Sequence, residues 1–149
     1  MSDLDTIKEI REATNFSFNE IKKALDEAGG DKSKALGILK ERGAAVAEKK
    51  STRSTGQGIV EAYVHSNKKI GVILEILCET DFVARNPMFI ELSREVAMHV
   101  AAMDPQDVQE LLGQAYIRDQ SLTIEEFINQ YIAKLGENIK IGKFCRLQL

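Results

Sequence analysis

Apolar residues over roughly the first forty positions recur at three- and four-residue spacing between polar breaks, a pattern that predicts three short helices. Leu4, Ile7 and Ile10 line one face of the first. Ser17 with Glu20 three residues on makes a capping box for the second, and Phe16 and Ile21 are spaced to staple around it. Gly29-Gly30 stops that helix, and Asp31 caps a third in which Leu36 and Leu39 face inward. Gly43 is expected to close it as the left-handed residue. Such a unit, residues 1–43, buries little surface, so docking suits it better than catalysis.

From Ile59 the period changes. Two strand-like runs, Ile59 to His65 and Ile70 to Cys78, flank the polar tetrad Ser66-Asn67-Lys68-Lys69 and predict a β-hairpin. Asn86-Pro87 reads as a cap followed by proline at the first helical position, and Phe89, Leu92, Val96 and Val100 then share one helical face. Asp104-Pro105 is expected to start another helix in the same way, with Val108, Leu111 and Leu112 as its apolar residues. Thr123 with Glu126 opens a further helix through Phe127, Ile128, Tyr131 and Leu135, stapled by Leu122 and Phe127 and ended by Gly136. Ile139, Ile141, Cys145, Leu147 and Leu149 fall on a two-residue alternation with Lys140, Arg146 and Gln148 on the other face, which predicts a final strand. The expected class is α+β: a three-helix N-terminal module, then a core (59–149) of a small antiparallel sheet packed with helices.

Between these parts, residues 44–58 include Lys49-Lys50-Ser51-Thr52-Arg53-Ser54-Thr55-Gly56 and read as a basic linker. Charge divides accordingly, near -1 before the linker, +2 within it and -4 after it, for a formal net charge of -3. The summed field repels phosphate backbones, so no specific nucleic-acid partner is expected. No apolar run approaches the twenty or so residues a bilayer requires, which excludes a membrane-spanning helix. Asp3, Asp5 and Glu9 make the N-terminus unlike a basic or Arg-rich leader, and Cys78 and Cys145 fit no CxxC pattern. The expectation is a cytoplasmic protein with reduced thiols. At 149 residues the chain needs neither disulfide nor metal to build a core.

Candidate chemistry is sparse. His65 and His99 read as ordinary imidazoles in a predicted strand and a predicted helix, and no metal or cofactor is called for. A Cys78 nucleophile is the only enzymatic reading, and it has no local activating signature. Gly136 to Lys143 continues with Phe144 and fails the phosphate-loop pattern, so no nucleotide site is expected. The oddest stretch is Thr80-Asp81-Phe82-Val83-Ala84-Arg85-Asn86, an aromatic beside a carboxylate in a connection. Two readings stand open. In one, Phe82 and Val83 fold back onto the core while Asp81 caps a turn. In the other, the stretch is a protruding wedge that enters another protein.

Cys78-Glu79-Thr80-Asp81-Phe82-Val83-Ala84-Arg85-Asn86 resembles the signature of the elongation factor Ts family, guanine nucleotide exchange factors for elongation factor Tu. Lys22-Lys23-Ala24-Leu25 with Glu27-Ala28 and Gly30-Asp31 is similar to that family's N-terminal module, Ala97 to Ala102 to its core helix, and Ala133-Lys134-Leu135-Gly136-Glu137-Asn138-Ile139 to its second signature. The resemblance implies a module similar to ubiquitin-associated domains, a single copy of the core, no cofactor and no catalysis. It also implies that Asp81 and Phe82, with Thr80 and Val83 around them, enter elongation factor Tu beside its magnesium and phosphate site. Leu135 and Gly136 would pack on the same region. Phe18-Asn19 stands where the family usually reads Met-Met, as an altered contact of the N-terminal module, and Gly142-Lys143 where paired arginines are usual. By resemblance to short members, two copies pair as a homodimer, with the last strand and Cys145 as candidate elements; an ordinary core strand remains the other reading. A non-exchanging module that docks on a ribosome or another protein is the alternative function.

Overall fold

Ser17 and Asp31 open two of the three N-terminal helices through their side chains, accepting from the amides of Glu20 (3.3 Å) and Lys34 (3.0 Å). The structure, a computed structural model, describes residues 3–149. These helices are α1 (Asp3–Thr14), α2 (Phe18–Glu27) and α3 (Lys32–Lys50). Their contact buries Ile7, Ile10, Phe16, Ile21, Ala24, Leu25, Ala35 and Leu39. Leu4, expected on the same face, is 58% exposed; the inward stripe starts one turn later.

The expected stop at Gly43 is overturned. Gly43 is buried inside α3, and the helix continues to Lys50. Ala44, Ala45 and Ala47 with Glu48, Lys49 and Lys50 are strong helix formers and outweigh the roughly 1 kcal/mol that one glycine costs. α3 also crosses α7 (Ile124–Leu135) there, and a Cβ at position 43 would lie 3.5 Å from the Phe16 ring and 3.7 Å from the Asn129 carbonyl oxygen. Lys40 adds an ion pair to Glu126 at 3.1 Å. Past the crossing, Val46 and Ala47 pack against the second core.

That second core is built on a three-stranded antiparallel sheet of β1 (Gln57–Val64), β2 (Ile70–Cys78) and β5 (Lys140–Gln148), in the order β1-β2-β5. The hairpin forms at the predicted tetrad, where Lys68 takes a positive φ of 63° and Asn67 Oδ1 accepts from the Lys69 amide. Gly58 faces β2 so closely that a Cβ would collide with the Ile76 carbonyl oxygen and stand 2.9 Å from Leu77 Cα, so the pairing requires glycine. Val72, Leu74, Ile76 and Cys78 turn their side chains beneath α5 (Pro87–Met103), whose Phe89, Leu92, Val96 and Val100 are all buried as predicted. Each such side chain contributes roughly 1.5–3 kcal/mol of burial.

The last strand forms as predicted, but it does not keep one alternation along its length. Leu77 pairs with Lys140 and Ile76 with Ile141, but Leu74 pairs with Phe144, leaving Gly142 and Lys143 opposite Glu75 in a bulge. Glu75 Oε1 accepts the Lys143 amide at 3.0 Å. The extra residue reverses the alternation beyond it. Phe144 and Arg146 turn inward, while Cys145, Leu147 (70%) and Leu149 (89%) are exposed rather than in the core. Arg146 Nε donates to the Ala101 carbonyl oxygen at 3.0 Å and its guanidinium lies 3.7 Å from Asp104, so the inward charge caps the end of α5.

Asp104-Pro105 does not start a helix. Asp104 ends α5 in the left-handed region (φ 45°), and Asp107 caps α6 (Val108–Gly113) instead, accepting from the Glu110 amide at 2.7 Å. An unanticipated hairpin follows, β3 (Ala115–Tyr116) with β4 (Asp119–Thr123), and its Tyr116 ring stacks on Phe127 at 4.2 Å. Thr123 and Glu126 then form the predicted capping box of α7, which Gly136 ends at φ 76°.

Candidate partner-binding site

At the end of β2 the chain turns twice within a few residues. Thr80 stays extended, and its hydroxyl accepts the Val83 amide at 3.3 Å, opening the single-turn helix α4 (Asp81–Ala84). Asn86 then caps α5 by accepting the Met88 amide at 2.8 Å, with Pro87 behind it. This corner separates four consecutive side chains. Ala84 is buried, Val83 packs partly into the core, and Asp81 and Phe82 stand in solvent. Phe82 is 82% exposed, so its ring leaves unrealised most of the roughly 2 kcal/mol that burial gives an aromatic side chain. Of the two open readings, the core takes back Val83 only, and the turn is capped by Thr80, not Asp81. Arg85 pairs with Asp81 at 2.9 Å and lies 6.0 Å from the Phe82 ring centroid, both in exposed positions where such contacts are weak.

A second segment braces the corner. Beyond the α7 stop, Glu137 Oε1 accepts the amides of Glu79 (3.1 Å) and Thr80 (2.9 Å), and Oε2 accepts the Thr80 hydroxyl at 2.6 Å. Glu79 returns the contact, its Oε2 accepting the Asn138 amide at 2.6 Å. The buried Asn138 side chain donates to the Arg53 carbonyl oxygen at 2.9 Å, and the Arg53 guanidinium lies 3.7 Å from Glu79. Three stretches far apart in sequence therefore meet at the foot of α4.

A family model described as Elongation factor TS matches residues 79–149, from Glu79 of this brace to the last residue. Elongation factor Ts of Oleidesulfovibrio alaskensis is 38% identical over 188 aligned positions that cover 96% of this chain and 95% of the relative. The proteins of the same name from Thermosipho melanesiensis and Rubrobacter xylanophilus are 40% and 37% identical, with 94% and 98% of both partners covered. The chain belongs to the elongation factor Ts family. It is thereby a translation elongation factor by kinship, over nearly its whole length. Because 188 aligned positions exceed the 149 residues here, that relative carries segments with no counterpart in this member.

Within this family member, the residues singled out from the sequence fall on two surfaces. Thr80, Asp81, Phe82 and Val83 are joined through Glu137 to the Leu135-Gly136 corner, where Leu135 packs partly into the core and Gly136 is exposed with open space around it. Phe18 (41% exposed) and Asn19 lie on the first turn of α2, which packs on α1 and α3, and belong to the helical surface instead. Glu79, Glu137, Asn138 and Arg53 were not singled out. Glu79, Glu137 and Asn138 do lie within the two signature stretches, but a stretch of sequence does not reveal which residues pair across it.

Cys78 is a poor nucleophile. It is fully buried, its thiol donates to the Thr80 carbonyl oxygen, and burial with the nearby Glu137 charge pushes its pKa up to about 11. His99 Nε2 meets Gln114 Oε1 at 2.9 Å while Nδ1 accepts the Ile117 amide, and His65 Nδ1 meets the Tyr63 hydroxyl. Among the described residues no group of three or more His, Cys, Asp or Glu side chains could hold a metal ion, and no helix is long and apolar enough to cross a membrane.

Proposed function

We propose that this member of the family is a cytoplasmic guanine nucleotide exchange factor that binds elongation factor Tu and speeds release of GDP, with no covalent step of its own. The observation that carries the reading is Phe82: a phenylalanine 82% exposed on a corner whose next two residues are anchored in the core. An exposed aromatic on a fixed support has the form of a binding anchor. The ring, with Thr80, Asp81 and Val83, enters beside the magnesium and phosphate site and displaces the elements that hold them, while Asp81 disfavours return of a polyanion. Leu135 and Gly136 pack on the same region, and Phe18 and Asn19 make a separate contact through the N-terminal helices. Because coupling is reciprocal, a factor that weakens GDP binding binds the GDP-loaded partner less tightly, and incoming nucleotide expels it.

Two copies pair through the outer face of the sheet. Val60 (66% exposed), Val64 (59%), Ile73 (57%) and Leu147 (70%) lie there, and the pairings Ala62 with Ile73 with Cys145, and Val64 with Gly71 with Leu147, set them in adjoining rows. A contiguous apolar patch of this kind marks an interface, and an identical patch on a second copy is self-complementary. The test of the exchange reading is stopped-flow release of fluorescent GDP from elongation factor Tu. Acceleration that rises with factor concentration supports it. Binding without acceleration would leave a docking module, and the exchange reading would be wrong.

A further inference from the structure

The core anchors Val83 and Ala84, but Asp81 and Phe82, the outer half of the corner, have no core contact of their own. One helical turn fixes several backbone angles for very little hydrogen bonding, so α4, four residues long, is not stable by propensity. Its outer residues have little to lean on, since the Asp81–Arg85 pair is exposed. What lies behind α4 is Glu137, across 57 residues of sequence. Its carboxylate accepts three hydrogen bonds, from the Glu79 and Thr80 amides and the Thr80 hydroxyl. That hydroxyl is the group whose oxygen caps α4 at the Val83 amide, so the proton Thr80 gives to Glu137 orients the lone pair it offers to the helix. Bonds to an ionised acceptor are about twice as strong as neutral ones. The reciprocal bond from the Asn138 amide to Glu79 closes the arrangement from the other side.

We infer that Glu137 is a positioning residue for exchange: it holds the Phe82 turn in its binding-competent shape and joins it to the Leu135-Gly136 corner, so that both meet the partner as one preformed surface. The inference rests on the exchange reading proposed above. Glu137 itself need not touch elongation factor Tu. Without it, α4 samples other conformations, and apparent affinity falls in proportion to the competent fraction. Once seated, the ring finds its place from the partner's side as well. Loss of Glu137 therefore raises the factor concentration needed for half-maximal GDP release and leaves the maximal rate nearly unchanged, whereas loss of Phe82 lowers the maximal rate itself.

The experiment measures GDP release from elongation factor Tu against concentration for wild type, Glu137→Ala, Glu137→Gln and Phe82→Ala, with hydrogen exchange of the Glu79 and Thr80 amides in the free proteins. Glu137→Ala should raise the half-saturating concentration about tenfold or more with a maximal rate within about twofold of wild type, and should lose protection at both amides. Glu137→Gln keeps a neutral acceptor and should fall between. A half-saturating concentration unchanged in Glu137→Ala, or a loss confined to the maximal rate, would overturn the assignment. Should Glu137→Ala not fold, the Gln variant decides by the same two parameters. If wild type itself accelerates nothing, the exchange reading fails and the positioning role falls with it; protection at the two amides then still reports whether the brace exists as a structural contact.

Discussion

Truncating Phe82 to alanine separates a binding ring from a core ring, because the two roles predict opposite balances of stability and function. Full burial of a phenylalanine is worth roughly 1.5–3 kcal/mol, and with 82% of Phe82 in solvent only about 0.5 kcal/mol of that is realised. The Arg85 cation above the ring adds about 0.5 kcal/mol at most. Phe82→Ala should therefore cost less than about 1 kcal/mol, or a melting-temperature drop of less than about 4 °C in a chain of this size. Phe89→Ala, at a fully buried ring in α5, should cost about 3–5 kcal/mol and serves as the contrast. In the stopped-flow assay, loss of a central anchor worth about 2 kcal/mol or more should slow accelerated GDP release about thirtyfold or more. A Phe82→Ala protein that melts like the Phe89→Ala protein, or that accelerates release as wild type does, would refute the reasoning.

Three other outcomes are expected. Ile73→Lys places a charge at the centre of the outer sheet face, so sedimentation at several concentrations should give a dimer for wild type and a monomer for the variant; a monomeric wild type at every concentration would sink the pairing. Alkylation of the folded protein near neutral pH should modify exposed Cys145 and spare Cys78, whose thiol stays protonated with its pKa pushed up to about 11; rapid modification of Cys78 without denaturant would contradict its burial. Burial holds the His99 pKa below its ordinary 6.5, so as pH falls through and below that value the unfolded chain takes up a proton that the folded chain does not. His99, facing Gln114, the Ile117 amide and the Tyr116 ring, thus contributes stability that is present above about pH 6.5 and lost toward its folded pKa. Urea midpoints should drop between about pH 7 and pH 5.5 more steeply for wild type than for His99→Asn; equal slopes would show that His99 does not drive the loss.

Four helix starts were legible because each is written in a few adjacent residues, while the start expected at Asp104-Pro105 lies at Asp107 instead. Ser17 with Glu20, Asp31, Asn86-Pro87 and Thr123 with Glu126 cap where the spacing predicts, since a side chain that satisfies a free amide needs only its own neighbours. The β1–β2 hairpin and the inner face of α5 were legible for the same reason: a turn tetrad and a helical period are local. The β3–β4 hairpin was not, because its turn at Ile117-Arg118 carries none of the usual turn residues and its strands are very short.

What the sequence determined by itself is therefore most of the elements, many of their boundaries and the kinship with elongation factor Ts, all of which rest on neighbours along the chain. Tertiary structure decided the rest. Helix formers after Gly43 permit the helix to continue, and its packing on α7 and, beyond it, on the second core fixes that outcome, which the glycine alone does not foretell. The face shown by Cys145 and Leu147 depends on a bulge opposite Glu75, one residue of register that no alternation pattern in β5 alone contains. Which of Phe82 and Val83 the core would bury, and that Glu137 would brace Thr80 from 57 residues away, follow only when β2, α7 and β5 are brought together. Hydrogen bonds across such distances are set by packing, and packing is a property of the whole chain.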